Sequence, residues 1–184
     1  MRLRWVFMVL ALMVAMPVVE VLAGAGDSRE NPVPFGQPGR IGDWEITVTG
    51  TDLNASKAIA MATGHVLDLE SGHVFVLVQL SLTRVGSDSG SFVRSLLSSA
   101  VVGPSNVAYD DLNAGCDEVP GTDDDTLEVF PGGTLTTALC WQVLRADAAS
   151  ADDLVMFITS DRTSERVFFS LDMPVATPVA TPGV

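Results

Sequence analysis

The sequence predicts an all-β chain, folded as an antiparallel β-sandwich of about seven to nine short strands. Three observations carry that expectation. Apolar and polar residues alternate over short stretches, as in Trp44, Ile46 and Val48 against Glu45, Thr47 and Thr49. Clusters of Gly, Pro, Ser and Asp separate those stretches. Beyond the N-terminal apolar run, no convincing long helical pattern appears.

Residues 1–25, "MRLRWVFMVLALMVAMPVVEVLAGA", follow a signal-peptide plan. Arg2 and Arg4 precede an apolar run of fifteen residues, Trp5 to Val19, and small residues close the segment. A spanning helix needs about 20 apolar residues, so stable membrane insertion is not expected after cleavage, which is expected behind Ala23 or Ala25. Residues 26–32 read as a polar leader, 33–173 as the domain, and 174–184 as a Pro/Thr-rich tail. That tail, "PVATPVATPGV", repeats every four residues and reads as an extended polyproline-like segment.

Within the domain, "GDWEITVTGTDL" is a half-buried strand. Residues 54–72 contain an alanine-rich piece, Ala55 to Ala62, that fits a helical turn or a loop carrying a short strand. "HVFVLVQLSLTRVG" is the strongest strand. Val74, Val76, Val78, Leu80 and Leu82 share one face, and Phe75 and Leu77 make the other face apolar at one end. Such a strand is central and doubly buried there. "GSDSGS" turns the chain. "FVRSLLSSAVV" and "NVAYD" are weaker strands around Gly103-Pro104-Ser105, and residues 110–128 form an acidic loop containing Cys116. "LEVF" is a short strand before the "PGG" turn. In "TLTTALCWQV", Leu135, Leu139, Trp141 and Val143 take one face and Cys140 the other. "DLVMFIT" and "RVFFSLD" read as a closing strand pair.

The net charge is −13, and loss of Arg2, Arg4 and Glu20 leaves 8 basic and 22 acidic residues, a net charge of −14. Such a surface repels phosphate backbones, which excludes nucleic acid as a partner. It also disfavours anionic lipid. An exported chain meets oxidising conditions, so Cys116 and Cys140 are either paired or two buried free thiols.

Few residues suit chemistry. His65 and His73 are the only histidines, and neither lies at a metal-ligand spacing or beside an identifiable triad partner. In "GSDSG", Asp88 stands where a nucleophile elbow has serine. No enzyme activity and no cofactor is expected. The acidic loop begins like a calcium loop with Asp111 and Asn113, and Asp123 and Asp125 add carboxylates. Gly115 occupies the third ligand position and no glutamate closes the loop, so solvated acids are the plainer reading. Trp44 and Trp141 could serve as ligand platforms, but alternation makes them core residues.

The segments "NPVPFGQPGRIGDWEITVTG", "SGHVFVLVQLSLTRVGSDSG", "VFPGGTLTTALCWQV" and "LVMFI" occur in an order that resembles a bacterial immunoglobulin-like family of secreted proteins and lipoproteins, a domain of unknown function related in fold to a secreted mycobacterial immunogenic protein. The resemblance covers residues 31–160. It implies an immunoglobulin-like antiparallel sandwich outside the membrane and a Cys116–Cys140 disulfide. It brings no catalytic residues. The function expected is a secreted, non-catalytic binding or interaction module. Its partner would be a protein or small molecule, cationic given the charge. The alternative is a weak calcium-binding or metal-responsive extracellular domain.

Overall fold

The structure is a computed structural model that describes residues 24–64, 69–92, 97–110, 127–160 and 163–173. Among the described residues the strands are β1 (Pro38–Ile41), β2 (Trp44–Asp52), β3 (His73–Arg84), β4 (Gly90–Ser91), β5 (Leu97–Val102), β6 (Ala108–Asp110), β7 (Glu128–Val129), β8 (Thr134–Leu144), β9 (Val155–Ser160) and β10 (Arg166–Ser170), with an α-helix, α1 (Ser56–Thr63). One sheet has the order β1-β2-β3-β8 and the facing sheet β10-β9-β5-β6, while β4 and β7 form a small ribbon. Every strand pair is antiparallel. The chain is an all-β antiparallel sandwich. Among the described residues, no helix is long and apolar enough to cross a membrane.

Alternation builds the core. Val74, Val76, Val78, Leu80 and Leu82 of β3 meet Leu135, Leu139, Trp141 and Val143 of β8 on the inner face. Met156, Ile158, Val167 and Phe169 close that core from the facing sheet. Trp44 and Trp141 are both core residues, which removes them as surface platforms. The outer face of β3 carries a second apolar cluster, in which Phe75, Leu77, Ala138 and Cys140 pack under Ala55 and Ile59 beside α1.

Helix α1 settles the ambiguity of residues 54–72. Eight residues are too few for a helix to persist alone, and Ala55 at its N-cap offers no side-chain bond. Fully buried Ile59 docks the helix. Gly64, at φ 71°, ends it in the left-handed conformation, and its N–H donates to Ala60 O (3.1 Å).

Two features differ from the sequence reading. β1 falls where the sequence reading names no strand, and its Pro38 and Gly39 are locally poor strand residues. At the edge of a sheet a proline removes no needed donor. Residues 26–32 are more than a leader into the domain: Phe168 N–H donates to Gly26 O (2.9 Å), Val33 N–H to Phe168 O (2.8 Å) and Ser170 N–H to Val33 O (2.9 Å). This segment lies along β10, with Val33 and Phe169 in a parallel bridge.

The "PGG" turn is fixed at the far end of β3. Gly132 N–H donates to Arg84 O (2.7 Å), and Arg84 N–H donates to Gly133 O (2.9 Å). The buried Arg84 side chain pairs with Asp43 (3.1 Å), donates to Asp88 O (2.9 Å) and lies 5.3 Å from the Trp44 ring centroid. Asp88 thus contributes its backbone carbonyl to a structural knot.

Trp141→Ala should cost roughly 3–5 kcal/mol and Ile59→Ala roughly 2–4 kcal/mol, as buried side chains removed from packed sites. Urea unfolding would measure both. A harmless Ile59→Ala would mean that α1 does not depend on its dock.

Candidate functional site

β8 ends one sheet and β6 ends the other, so the two edges meet at one corner of the sandwich. There Tyr109 of β6 packs against the main core, and its hydroxyl donates to Asp147 Oδ2 (2.7 Å). Asp147 opens the 3₁₀ turn after β8 and is only 4% exposed. Its carboxylate also accepts from the Ser105 hydroxyl and from Ser105 N–H (3.1 Å).

The turn between β5 and β6 makes this possible. Asn106 adopts φ 61°, and its N–H donates to Gly103 O (3.0 Å). A Cβ on Gly103 would stand 2.6 Å from Asp147 Cβ, so the backbone can approach the acid only as glycine. Arg29, from the N-terminal segment, donates to Gly103 O (2.8 Å) and to Asn106 Oδ1.

Burial pushes the Asp147 carboxyl upward. The bonds from the Ser105 hydroxyl, Tyr109 and Ser105 N–H, with the charge of Arg29, outweigh burial and hold it below the usual carboxylate range. Burial, then the bond to Asp147, raises the Tyr109 phenol above its ordinary value.

A cavity of about 230 Å³ lies beside this network, lined by Glu70, His73, Ala108, Tyr109, Asp110 and Gln142. Glu70 N–H donates to Gln142 Oε1 (3.0 Å), and His73 N–H donates to Glu70 O (3.0 Å). The Glu70 carboxylate stands 3.8 Å from His73 Nδ1, which is also 3.3 Å from Ser71 O. Two carboxylates, an amide and an aromatic ring therefore share one concavity. That lining suits a positively charged group and opposes a phosphate or carboxylate. None of the six lining residues is a serine, threonine or cysteine that His73 could activate.

Among the residues singled out from sequence, Cys140 is buried on the face opposite Trp141, beneath α1 rather than on a bare outer surface. Cys116, Asp111, Asn113, Asp123 and Asp125 lie outside the described residues, as does His65. Among the described residues, no three His, Cys, Asp or Glu side chains converge as a metal site. Sequence reasoning passed over Arg29, Ser105 and Asp147 and gave Tyr109 and Glu70 no role. The one available signal was that Tyr109 is the sole tyrosine, next to a Gly-Pro-Ser turn.

No family model matches the chain, and no curated protein matches it. Several solved bacterial structures are similar. A conserved hypothetical protein from Bacillus anthracis is 15% identical with a TM-score of 0.47, over 74% of this chain and 94% of that one. The yjhA protein from Bacillus subtilis is 10% identical with a TM-score of 0.46, over 76% of this chain and 99% of that one. An uncharacterized β-sandwich protein from Clostridium difficile is 13% identical with a TM-score of 0.45, over 77% of this chain and 95% of that one.

The corner network should be sensitive to pH at both ends. Asp147 titrates lower in the folded chain than in the unfolded one. Its contribution is therefore full above about pH 3.9, the unfolded value, and is lost as pH falls through the folded value. Tyr109 titrates higher when folded, so its contribution is full below about pH 10 and is lost as pH rises through the folded value. Asp147→Asn should cost roughly 2 kcal/mol, the scale of a charged hydrogen bond. It should also bring the ultraviolet phenolate titration of the single tyrosine back toward pH 10. An unchanged titration would show that Asp147 does not hold Tyr109.

Proposed function

We propose that this chain is an exported, non-catalytic immunoglobulin-like module that binds a small cationic group at the sandwich corner. The observation that carries this reading is the cavity walled by Glu70, Asp110, Gln142 and the Tyr109 ring. The strongly acidic composition supports it by raising the local concentration of cations. Export rests on the charged start, the apolar run and the small residues of the first 25 positions. The family assignment rests on the order of the four sequence segments.

Calorimetry of the mature chain with primary and quaternary alkylammonium ions tests the binding reading, with neutral and carboxylate analogues as controls. Saturable binding should be confined to the cations. Glu70→Gln should weaken it about tenfold, the loss of one charge-assisted contact of roughly 1.4 kcal/mol. Equal binding of the neutral analogues, or none of the cations, would sink the reading.

We also propose that Cys140 is bonded to Cys116, fastening the acidic loop beside α1. In support, no described cysteine is a free thiol, and Cys140 faces away from the main core. Cys140→Ser should lose roughly 2–4 kcal/mol, mainly by freeing the unfolded chain. Two reactive thiols in the unreduced, unfolded protein would exclude the bond.

A further inference from the structure

The corner cavity holds one side chain of the type that changes charge near neutral pH. Histidine gains a proton between about pH 8 and about pH 5, whereas carboxylates and phenols titrate outside that span. His73 opens β3 and lines the cavity with Glu70, Tyr109, Asp110 and Gln142. Its side chain is 18% exposed and that of Glu70 is 77% exposed. A charge on the histidine is therefore the less screened of the two.

Two acceptors stand by its Nδ1: Ser71 O at 3.3 Å and Glu70 Oε2 at 3.8 Å. The neutral ring therefore carries its proton on Nδ1 and leaves Nε2 as an acceptor. A second proton turns Nε2 into a donor and sets a positive charge on the cavity wall. It also pairs the ring with Glu70, one of the two carboxylates that would hold a cation.

The elements packed around the ring do not cancel that change. Among the described residues, β6 brings Tyr109 and Asp110, and β8 brings the neutral Gln142 and ends at Leu144, the register partner of His73. Arg145 follows, with its N–H bonded to Gly72 O (2.9 Å) and its side chain exposed. Asp147 bonds the hydroxyl of Tyr109 and is not part of the lining. None of these side-chain types changes charge between about pH 5.5 and about pH 8.

We propose that His73 is a pH-operated competitor in the corner site: once protonated, it displaces the cation that the site holds above neutrality. The proposal rests on the cation reading of the corner. An occupant about 6 Å from the imidazolium, at a partly exposed site, meets enough repulsion to weaken binding about tenfold.

Calorimetry of the mature chain with ethylammonium, at fixed ionic strength, tests it. The affinity at about pH 5.5 should be about tenfold below that at about pH 8. Near pH 6.5, binding should also release protons, read as a measured heat that depends on the ionisation enthalpy of the buffer. His73→Gln keeps a polar side chain without the charge. It should bring the ratio of the two affinities close to one and abolish the proton release. Absence of binding at the higher pH would remove the cation reading, and this proposal with it. Binding of equal strength at both values, or without proton release, would overturn this proposal alone and needs no variant. A ratio that persists in folded His73→Gln would overturn it too, by placing the titrating group elsewhere.

Discussion

Strand β3 is buried on both sides, and most of the molecule is arranged around that fact. Its inner face holds the main core, and its outer face carries Phe75 and Leu77. An antiparallel sheet ordinarily leaves one face to water. Here two large apolar side chains on the wrong face demand a cover, and α1 supplies it. The helix is held there by the strand beneath it, since its length and caps would not sustain it. β2 and β8 flank β3 on either side, so displacing it would open the sheet at its centre.

The corner between β6 and β8 obeys a different rule. A buried carboxylate is costly unless its charge is matched and its oxygens are bonded. Asp147 meets that condition through Ser105 and Tyr109, with Arg29 nearby. The same bonds join the two sheets at an edge where no backbone ladder does so. They also hold Tyr109 as one wall of the cavity, so rigidity of the corner and shape of the cavity share a cause.

Much of the sandwich was legible because period-two patterning is local. The inward residues of β2, β3 and β8 follow from reading every second position. The helix was only half legible, since eight residues with an alanine-rich pattern acquire their conformation from Ile59 meeting Phe75. β1 was illegible for an opposite reason: Pro38 and Gly39 are locally poor strand residues, and only the edge position makes them acceptable. The corner was the least readable part. Asp147 is one acid among 23, and nothing within its own segment separates it from the solvated ones. Its partners lie at positions 29, 105 and 109, brought together by topology alone.

The pairing of the N-terminal segment with β10 bears on when the domain can form. Gly26 and Val33 bond to Phe168 and Ser170, joining nearly the first and last described stretches of the chain. Those bonds cannot exist until almost the whole polypeptide has been made. Contacts of such long sequence separation are also the slowest to close. The facing sheet therefore stays incomplete until β10, its edge strand, has joined β9. The topology itself keeps the sandwich open until its last strand is in place.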